Sequence, residues 1–251
     1  MSSVPAASQT LAVLRTLADR GPTAAVALAR AIGVPRSSAY HLLTVLRESG
    51  FVVHLPEERR WALGPVAFEV GMAYLRHDPL ERVARPHLAA LADRVAESAH
   101  LSVLHGAEVV YLLKEVPRRR AAPPTLVTDV GVRLPATLTA SGRAMLGALP
   151  AAQVRAVLAG ERAFVDRTGR GPRTLTALRR VLAEETARGW SSEDGEVVDG
   201  LASVAAVVRD RAGAPVAAVS VTFRGQEHPV STWGEVASEV VIAAGRIESG
   251  R

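Results

Sequence analysis

The apolar positions near the start of the chain recur at the three- and four-residue spacing of helices. Leu11, Leu14 and Leu17 mark one face of a first helix that ends at Gly21. A second short helix follows, with Thr23 as its predicted N-terminal cap. Two short helices joined by a tight turn to a third are the arrangement of a helix-turn-helix.

The third helix spans 34–50 and has two different faces. Its apolar positions predict a back that faces a core: Leu42, Leu43, Val45 and Leu46. Pro35 is predicted at its first position, Ser37 and Ser38 cap its first turn, and Gly50 ends it. The outer face carries short or hydrogen-bonding side chains and no carboxylate before Glu48: Arg36, Ser37, Tyr40, His41 and Thr44. Such a surface suits the groove of DNA.

After Gly50 the apolar pattern changes to the alternation of strands. Segments 51–55 and 61–63 predict a hairpin whose turn includes Arg59, and this hairpin would form a wing. A connecting helix follows and is broken at Asp78-Pro79. The predicted organisation is a winged helix-turn-helix domain, a linker helix and a further domain, over residues 1–64, 65–78 and 79–251.

The remainder of the chain predicts an antiparallel α+β domain. Its strands come in hairpins, one turning at Gly106 and another formed by 201–210 and 215–224, with helices placed around them. A helix is predicted to begin near Thr139 after a loop, and 190–200 is an acidic, glycine-containing stretch without assigned structure. The fold class is therefore a mainly α-helical winged head followed by an α+β domain with a mostly antiparallel sheet.

Charge adds a modest argument. The chain has a formal net charge of +5 and Lys114 is its only lysine, which coding bias towards arginine also explains. Residues 1–77 nevertheless hold eight arginines against five acidic residues, a density that suits a DNA-binding head.

The composition also excludes several classes of protein. There is no cysteine, and so no disulfide scaffold and no thiolate site. No apolar run approaches the ~20 residues of a membrane span, and the first residues do not resemble a signal peptide. We therefore expect a cytoplasmic protein without a cofactor or metal.

Four ordered segments make this chain resemble the IclR family of bacterial transcriptional regulators. They are the helix-turn-helix region over 10–52, the wing exit over 60–65, VGVRLPATLTASGRAML over 130–146, and GWSSEDGEVVDGLASVAAVV over 189–208. The resemblance implies a GAF-like effector-binding domain and a homodimer, often paired into a tetramer. It also implies operator DNA and a small organic effector, of the acidic or aromatic kind, as partners.

The resemblance and the outer face of the third helix together nominate DNA contacts. Arg36 is the best candidate for a guanine edge or a phosphate, and the position of His41 commonly holds arginine in the family. Arg59 and Arg60 could follow the minor groove from the wing, or could belong to a solvated turn. The full set is Thr23, Arg36, Ser37, Ser38, Tyr40, His41, Thr44, Arg59 and Arg60.

The resemblance also nominates effector contacts. Free N–H groups at the predicted start of a helix suit a carboxylate, and a cysteine is frequent in the family where Ser203 stands. Ser220 and Thr222 share one face of a strand, which favours a pocket; the alternative is an edge strand with both hydroxyl groups facing solvent. The full set is Ala140, Ser141, Gly142, Glu193, Ser203, Ser220 and Thr222. Arg133 and Arg143 are the positive charges in these segments, so an acidic effector is plausible.

Two other functions remain open at this point. The α+β domain could be an enzyme, but no Gly-x-Ser-x-Gly elbow or phosphate-binding glycine loop is present and the histidines lack zincin spacing. It could also sense a small molecule without any direct role on DNA.

Overall fold

A computed structural model of the chain describes residues 4–77, 79–118, 128–160 and 163–250. The chain divides into two compact units at the step from Asp78 to Pro79. Asp78 itself, the last residue of the predicted linker, lies outside the described residues. Within the described part of the chain, no helix is long and apolar enough to cross a membrane.

The first unit contains three helices, a two-stranded hairpin and a fourth helix. They are α1 (Pro5–Arg20), α2 (Ala25–Ile32), α3 (Arg36–Glu48), β1 (Val52–Leu55), β2 (Arg60–Leu63) and α4 (Pro65–His77). Apolar side chains from α1, α2, α3 and the hairpin enclose one small core, which includes Val13, Leu17, Leu28, Leu43 and Trp61. The predicted winged helix-turn-helix fold is thereby confirmed.

Helix α3 buries a narrower stripe than the sequence predicts. Ala39, Leu43 and Leu46 are buried, whereas Val45 is 59% exposed. The cause is geometric, because a residue two positions from Leu43 lies about 200° round the helix and cannot share its face. The prediction that Val45 faces the core is therefore wrong.

The predicted start of α3 also needs correction. Pro35 lies at the capping position rather than the first helical position, and no side chain caps the helix, so the expected capping by Ser37 and Ser38 is wrong. Both serine side chains are left available at the N-terminal turn. Gly50 follows the helix at φ +72°, the left-handed conformation predicted for it.

Thr23 ties the wing to the helices instead of capping α2. Its backbone N–H donates to the carbonyl of Trp61 at 2.8 Å, and the N–H of Trp61 donates back at 2.9 Å. The Thr23 hydroxyl donates to the carbonyl of Gly21, and α2 begins after Ala24 without a side-chain cap. The capping prediction for Thr23 is wrong because its backbone forms an isolated antiparallel β-bridge with Trp61 of the wing.

The second unit is built on a six-stranded, fully antiparallel sheet in the order β5-β4-β3-β8-β7-β6. Its strands are β3 (Ser98–His105), β4 (Glu108–Glu115), β5 (Arg133–Pro135), β6 (Ser191–Asp194), β7 (Leu201–Arg209) and β8 (Pro215–Arg224). Its helices are α5 (Pro79–Val95), α6 (Ala140–Gly147), α7 (Ala151–Val157), α8 (Leu175–Arg188) and α9 (Trp233–Ser249). The predicted α+β class is confirmed.

The two faces of this sheet differ in polarity. One face presents Leu101, Val219, Val221 and Phe223 to a large apolar core shared with α5 and α9. Alternate residues of the same strands point to the other face, where Ser203, Ser220 and Thr222 lie in register across β7 and β8. Helix α6 covers this second face, so its polar side chains are buried.

The strand β6 was not predicted from sequence. It pairs with β7 from Ser191↔Ala205 to Asp194↔Ala202 and converts the acidic stretch after α8 into a sheet edge. Four residues with alternating burial are too short a pattern to distinguish a strand from a loop. The strand is important because it fixes Glu193 beside Ser203.

We expect Leu43→Ala in α3 to lower the free energy of unfolding of the first unit by about 2–5 kcal/mol, since it leaves a cavity in a small core. Val45→Ala is the matched control on the same helix and should change stability by less than about 0.5 kcal/mol. Hydrogen exchange of the α1–α3 amides in the full chain measures both. Equal effects of the two substitutions would contradict the assignment of the buried stripe.

Candidate functional site

The exposed face of α3 has a composition that suits contact with an anionic surface. Arg36, Ser37, Tyr40 and His41 are exposed, and Ser38 and Thr44 are partly buried beside them. The helix sequence contains no acidic residue before Glu48, which lies at the opposite end from Arg36. Backbone N–H groups of its first turn add partial positive charge at that end.

The wing contributes two further cations. Arg59 and Arg60 are exposed, and neither they nor Arg36 form an ion pair within the described residues. Arg59 lies in the turn at φ +53°, which is unusual for a residue with a side chain. Three arginines without an acidic partner therefore lie on α3 and the hairpin that follows it.

A small polar cavity lies on the α6 side of the sheet in the second unit. Its walls come from β4, β5, the N-terminus of α6, β6, the loop after β6, β7 and β8. The lining residues are Tyr111, Thr128, Leu134, Thr139, Ala140, Ser141, Glu193, Val197, Val198, Leu201, Ser203 and Thr222. The cavity volume is about 20 Å³, close to the space that one water molecule needs. A larger ligand requires the walls to move.

Glu193 is the central ionisable group of this cavity and is only 4% exposed. Its Oε1 accepts a hydrogen bond from the Ser203 hydroxyl at 2.8 Å, and its Oε2 accepts one from the N–H of Glu196 at 3.1 Å. The Ser203 hydroxyl also lies 3.1 Å from that of Thr222. Burial raises the pKa of Glu193 to about 7, although these hydrogen bonds oppose the shift.

Two further ionisable side chains belong to this region: Tyr111 lines the cavity, and His100 lies next to it. The Tyr111 hydroxyl interacts with Ser141, and burial, followed by the nearby charge of Glu193, raises the pKa of Tyr111 above its usual value. Burial lowers the pKa of His100 to about 3, so its ring is neutral at physiological pH. The Nε2 of His100 lies 3.0 Å from the hydroxyl of Thr128, which lines the cavity.

Arg143 connects segments that form or support the cavity walls. Its side chain is 2% exposed and pairs with Glu196 at 2.9 Å and with Glu185 of α8 at 3.4 Å. It also donates to the carbonyl of Ser192 on β6. Arg143 is therefore a structural cation, and the expectation that it is available to an acidic effector is not supported. Arg133 lies 3.6 Å from Glu108 instead.

The structure brings five of the seven nominated effector residues to the cavity. They are Ala140, Ser141, Glu193, Ser203 and Thr222. Gly142 and Ser220 do not line it, so their nomination as direct contacts is not supported. Gly142 packs against the backbone of Ala136, where a Cβ atom would collide, and the Ser220 hydroxyl is buried beside His100. Ser220 and Thr222 lie on inner strands of the sheet, so the alternative of a solvent-facing edge is wrong.

Sequence reasoning missed several wall residues. Tyr111 lies two positions from Val109 in an alternating strand, so its inward direction could have been predicted from that pattern. Thr139 accepts a hydrogen bond from the N–H of Gly142 and caps α6, a role that its position before the helix could have indicated. The contributions of Thr128 and Val197 come from loops and had no sequence signal.

Comparisons with known proteins agree with this organisation. The chain matches the family described as bacterial transcriptional regulator IclR C-terminal over residues 72–247 and the IclR helix-turn-helix domain over residues 6–56. It is 29% identical to the transcriptional repressor IclR of Escherichia coli, over 98% of this chain and 94% of that protein. It is 32% identical to the glycerol operon regulatory protein of Streptomyces coelicolor, over 86% of this chain and 82% of that protein.

The fold also matches that of a solved structure. An IclR homolog from Microbacterium hydrocarbonoxydans, complexed with 4-hydroxybenzoate, superimposes with a TM-score of 0.79 at 25% identity and covers 98% of both chains.

A winged helix-turn-helix unit followed by an α+β unit with an enclosed polar pocket defines a ligand-responsive, DNA-binding transcriptional regulator. The match to the C-terminal domain alone spans more than half of the sequence. The chain belongs to the IclR family of bacterial transcriptional regulators. The relatives named above that have a stated function are regulators of transcription and not enzymes.

Replacing Glu193 should change how stability depends on pH. Because its folded pKa, about 7, lies above the unfolded value of 4.5, the folded state holds the proton more tightly. Stability from this group is full below pH 4.5 and is lost as pH rises to about 7. As the pH is raised from 5 to 8, we expect the free energy of unfolding of Glu193→Gln to increase by about 2 kcal/mol relative to that of the wild type. Urea unfolding at both pH values measures it; a pH-independent difference would contradict the raised pKa.

Proposed function

We propose that this chain binds operator DNA through the outer face of α3 and the wing, and that a small organic effector in the polar cavity changes its affinity for that DNA. The observation that carries the proposal is the acid-free outer face of α3, with exposed Arg36 at its N-terminal end. In this organisation residues 1–64 are the DNA-binding head, 65–78 the linker and 79–251 the effector-binding domain. Such a regulator acts in the cytoplasm.

The proposed DNA contacts have distinct roles. Arg36 would read a guanine edge in the major groove, and His41 would face the same groove as a shorter, mostly neutral side chain. Arg59 and Arg60 would contact phosphates or the minor groove from the wing. Five hydroxyl groups of the head would bind phosphates and so set the register of α3 on the DNA without reading its sequence. They belong to Thr23, Ser37, Ser38, Tyr40 and Thr44.

We also propose that the protein works as a homodimer that can pair into a tetramer. The first unit exposes large apolar side chains around α1 and on α4, which a partner chain would cover in a homodimer. They include Val4, Leu11, Phe68, which is 70% exposed, and Val70. Two heads related by a two-fold axis would read two half-sites of an operator. Analytical ultracentrifugation tests this proposal, and a monomer at micromolar concentration would contradict it.

We expect Arg36→Ala to weaken binding to the operator by about 1–3 kcal/mol and to relax preference at one base pair. Arg180→Ala is the matched control, since Arg180 is an exposed arginine on α8 in the second unit. Gel-shift titration on DNA upstream of the gene, at several salt concentrations, measures both. The wild-type affinity should fall steeply with salt as counterions are released. A complex without salt or sequence dependence would contradict the DNA-binding role.

The proposed effector pocket leads to a prediction about substitutions in its wall. With a compound that releases the operator complex, Ser203→Ala and Thr222→Val should each weaken the response by about 1 kcal/mol or more, because each removes a hydroxyl that lines the cavity. Ser220→Ala is the matched control on β8. Its hydroxyl is buried, does not line the cavity and has no hydrogen-bond partner among the described residues. Equal loss in all three variants would move the effector site elsewhere.

A further inference from the structure

The polar side chains that line the cavity carry hydroxyl groups or a carboxyl group. Among the described residues, the lining set contains no lysine, arginine or histidine. The hydroxyls come from five different parts of the chain: Tyr111, Thr128, Thr139 with Ser141, Ser203 and Thr222. Glu193 is the one carboxyl group of that set. The walls therefore offer a ligand many neutral hydrogen-bonding groups and a single acidic one.

The side chains that surround Glu193 come from several elements of the second unit. Strand β7 contributes the Ser203 hydroxyl, and β4 contributes Tyr111. The charged groups that face it are Arg143 of α6 and Glu196 of the loop after β6, and these two form an ion pair with each other. The attraction of Arg143 is opposed by the repulsion of Glu196, and burial outweighs the stabilising contacts, so a negative charge on Glu193 stays unfavourable in the cavity.

The nearest cation is not available to a ligand. Arg143 is buried and already binds Glu196, Glu185 and the carbonyl of Ser192. Moving its guanidinium into the cavity would leave the carboxylate of Glu196 without its cation and Glu185 with Arg188 alone, which is strongly unfavourable in a protein interior. Binding an anionic ligand through this arginine would therefore dismantle the wall that contains Glu193.

We propose that the cavity, in the role of effector site proposed above, takes a small uncharged ligand that carries a hydroxyl or amide N–H group, and that it discriminates against carboxylates. The ligand donates to Glu193 and accepts from the hydroxyl groups of the wall. The first-turn N–H groups of α6, at Ala140 and Ser141, have no partner within the helix and can donate to any ligand oxygen, so the choice between an acid and an uncharged ligand rests on Glu193. Because a cavity of about 20 Å³ must widen to admit any organic molecule, compounds of two to four carbon atoms, which need the least widening, are the probes to use.

The discrimination follows from the charge of Glu193. A carboxylate in the same enclosed space would put a second negative charge within a few ångströms of the first, in a medium that screens charge poorly. When Glu193 is protonated the repulsion disappears and its carboxyl group becomes a donor. Because burial brings the pKa of Glu193 to about 7, the penalty against acids should be large at pH 8 and small at pH 5.5.

Matched pairs of probes test this inference on the full-length protein. Lactate and lactamide, glycolate and glycolamide, and glycerate and glycerol differ mainly in charge, and each acid remains ionised at both pH values. Isothermal titration calorimetry at pH 8 should give dissociation constants at least about tenfold lower for the uncharged member of a pair. At pH 5.5 the two members should differ by less than about threefold.

Two glutamate variants complete the experiment. Glu193→Gln removes the charge and should bring acid and uncharged probe to similar affinity at pH 8, without the pH dependence. Glu108→Gln makes the same chemical change at a half-exposed glutamate of β4 that does not line the cavity, and should keep the wild-type preference.

Acids that bind more tightly than their uncharged partners at pH 8 would overturn the inference, as would a preference that survives in Glu193→Gln. Absence of binding by every probe would also count against it. A gel shift of the same preparation on operator DNA separates these results from failure of the proposed function. Intact DNA binding with an acid-preferring cavity overturns only the inference about the ligand, whereas absence of DNA binding overturns the proposed function.

Discussion

Arg143 fixes the geometry on which the polar cavity of the second unit depends. Its buried guanidinium contacts α8 through Glu185, the loop after β6 through Glu196, and β6 itself through Ser192. A cation with so little exposure is tolerated only because its partners compensate the lost hydration. The same contacts hold β6 against the sheet and so place Glu193 at the cavity. The electrostatics of the cavity are therefore a consequence of how its wall is anchored.

The alternation of β3, β7 and β8 explains how one sheet supplies both a core and a pocket. Residues that point towards α5 and α9 are almost entirely apolar, and the alternate residues include His100, Ser203, Ser220 and Thr222. Burying hydroxyl groups under α6 costs stability unless they are hydrogen-bonded. Ser203 and Thr222 have partners, and Ser220 has none among the described residues. This second face is less optimised for stability than the first, as is common at binding sites.

Much of the fold could be predicted from the sequence because its elements are long and periodic. Helix α3, the wing and the β7–β8 hairpin follow from apolar spacing and turn residues, and Gly50 takes the left-handed conformation expected of it. The errors came from local choices that propensity cannot decide. Val45 has the right chemistry for a core but the wrong angular position, and Thr23 is a good cap whose backbone pairs with Trp61 instead.

The candidate site could be predicted only in part. The sequence nominates Glu193, Ser203 and Thr222 separately. Their mutual hydrogen bonds depend on the register of β6 against β7. This register could not be predicted, because β6 is too short to be recognised from its pattern. The role of Arg143 could not be predicted either, because its partners lie 42 and 53 residues away in sequence. Contacts between distant segments are set by packing, so a basic residue near a nominated site looked available when it was not.

The small size of the cavity constrains how a ligand can act on DNA binding. A ligand shifts the balance between two states of a protein only by the difference in its affinity for them. A cavity of about 20 Å³ must expand to hold even a small organic molecule, so the liganded state necessarily differs from the one described in the position of at least one wall. In the loop between β6 and β7, Val197 and Val198 pack against apolar side chains, Glu196 pairs with Arg143, and the carbonyl of Gly195 accepts a hydrogen bond from Thr168. A wall that moves there would disturb the Glu193 hydrogen bonds and the Arg143 network together. In the proposed function, ligand binding and the anchoring of β6 would therefore be coupled, and this coupling would supply the differential affinity that regulation requires.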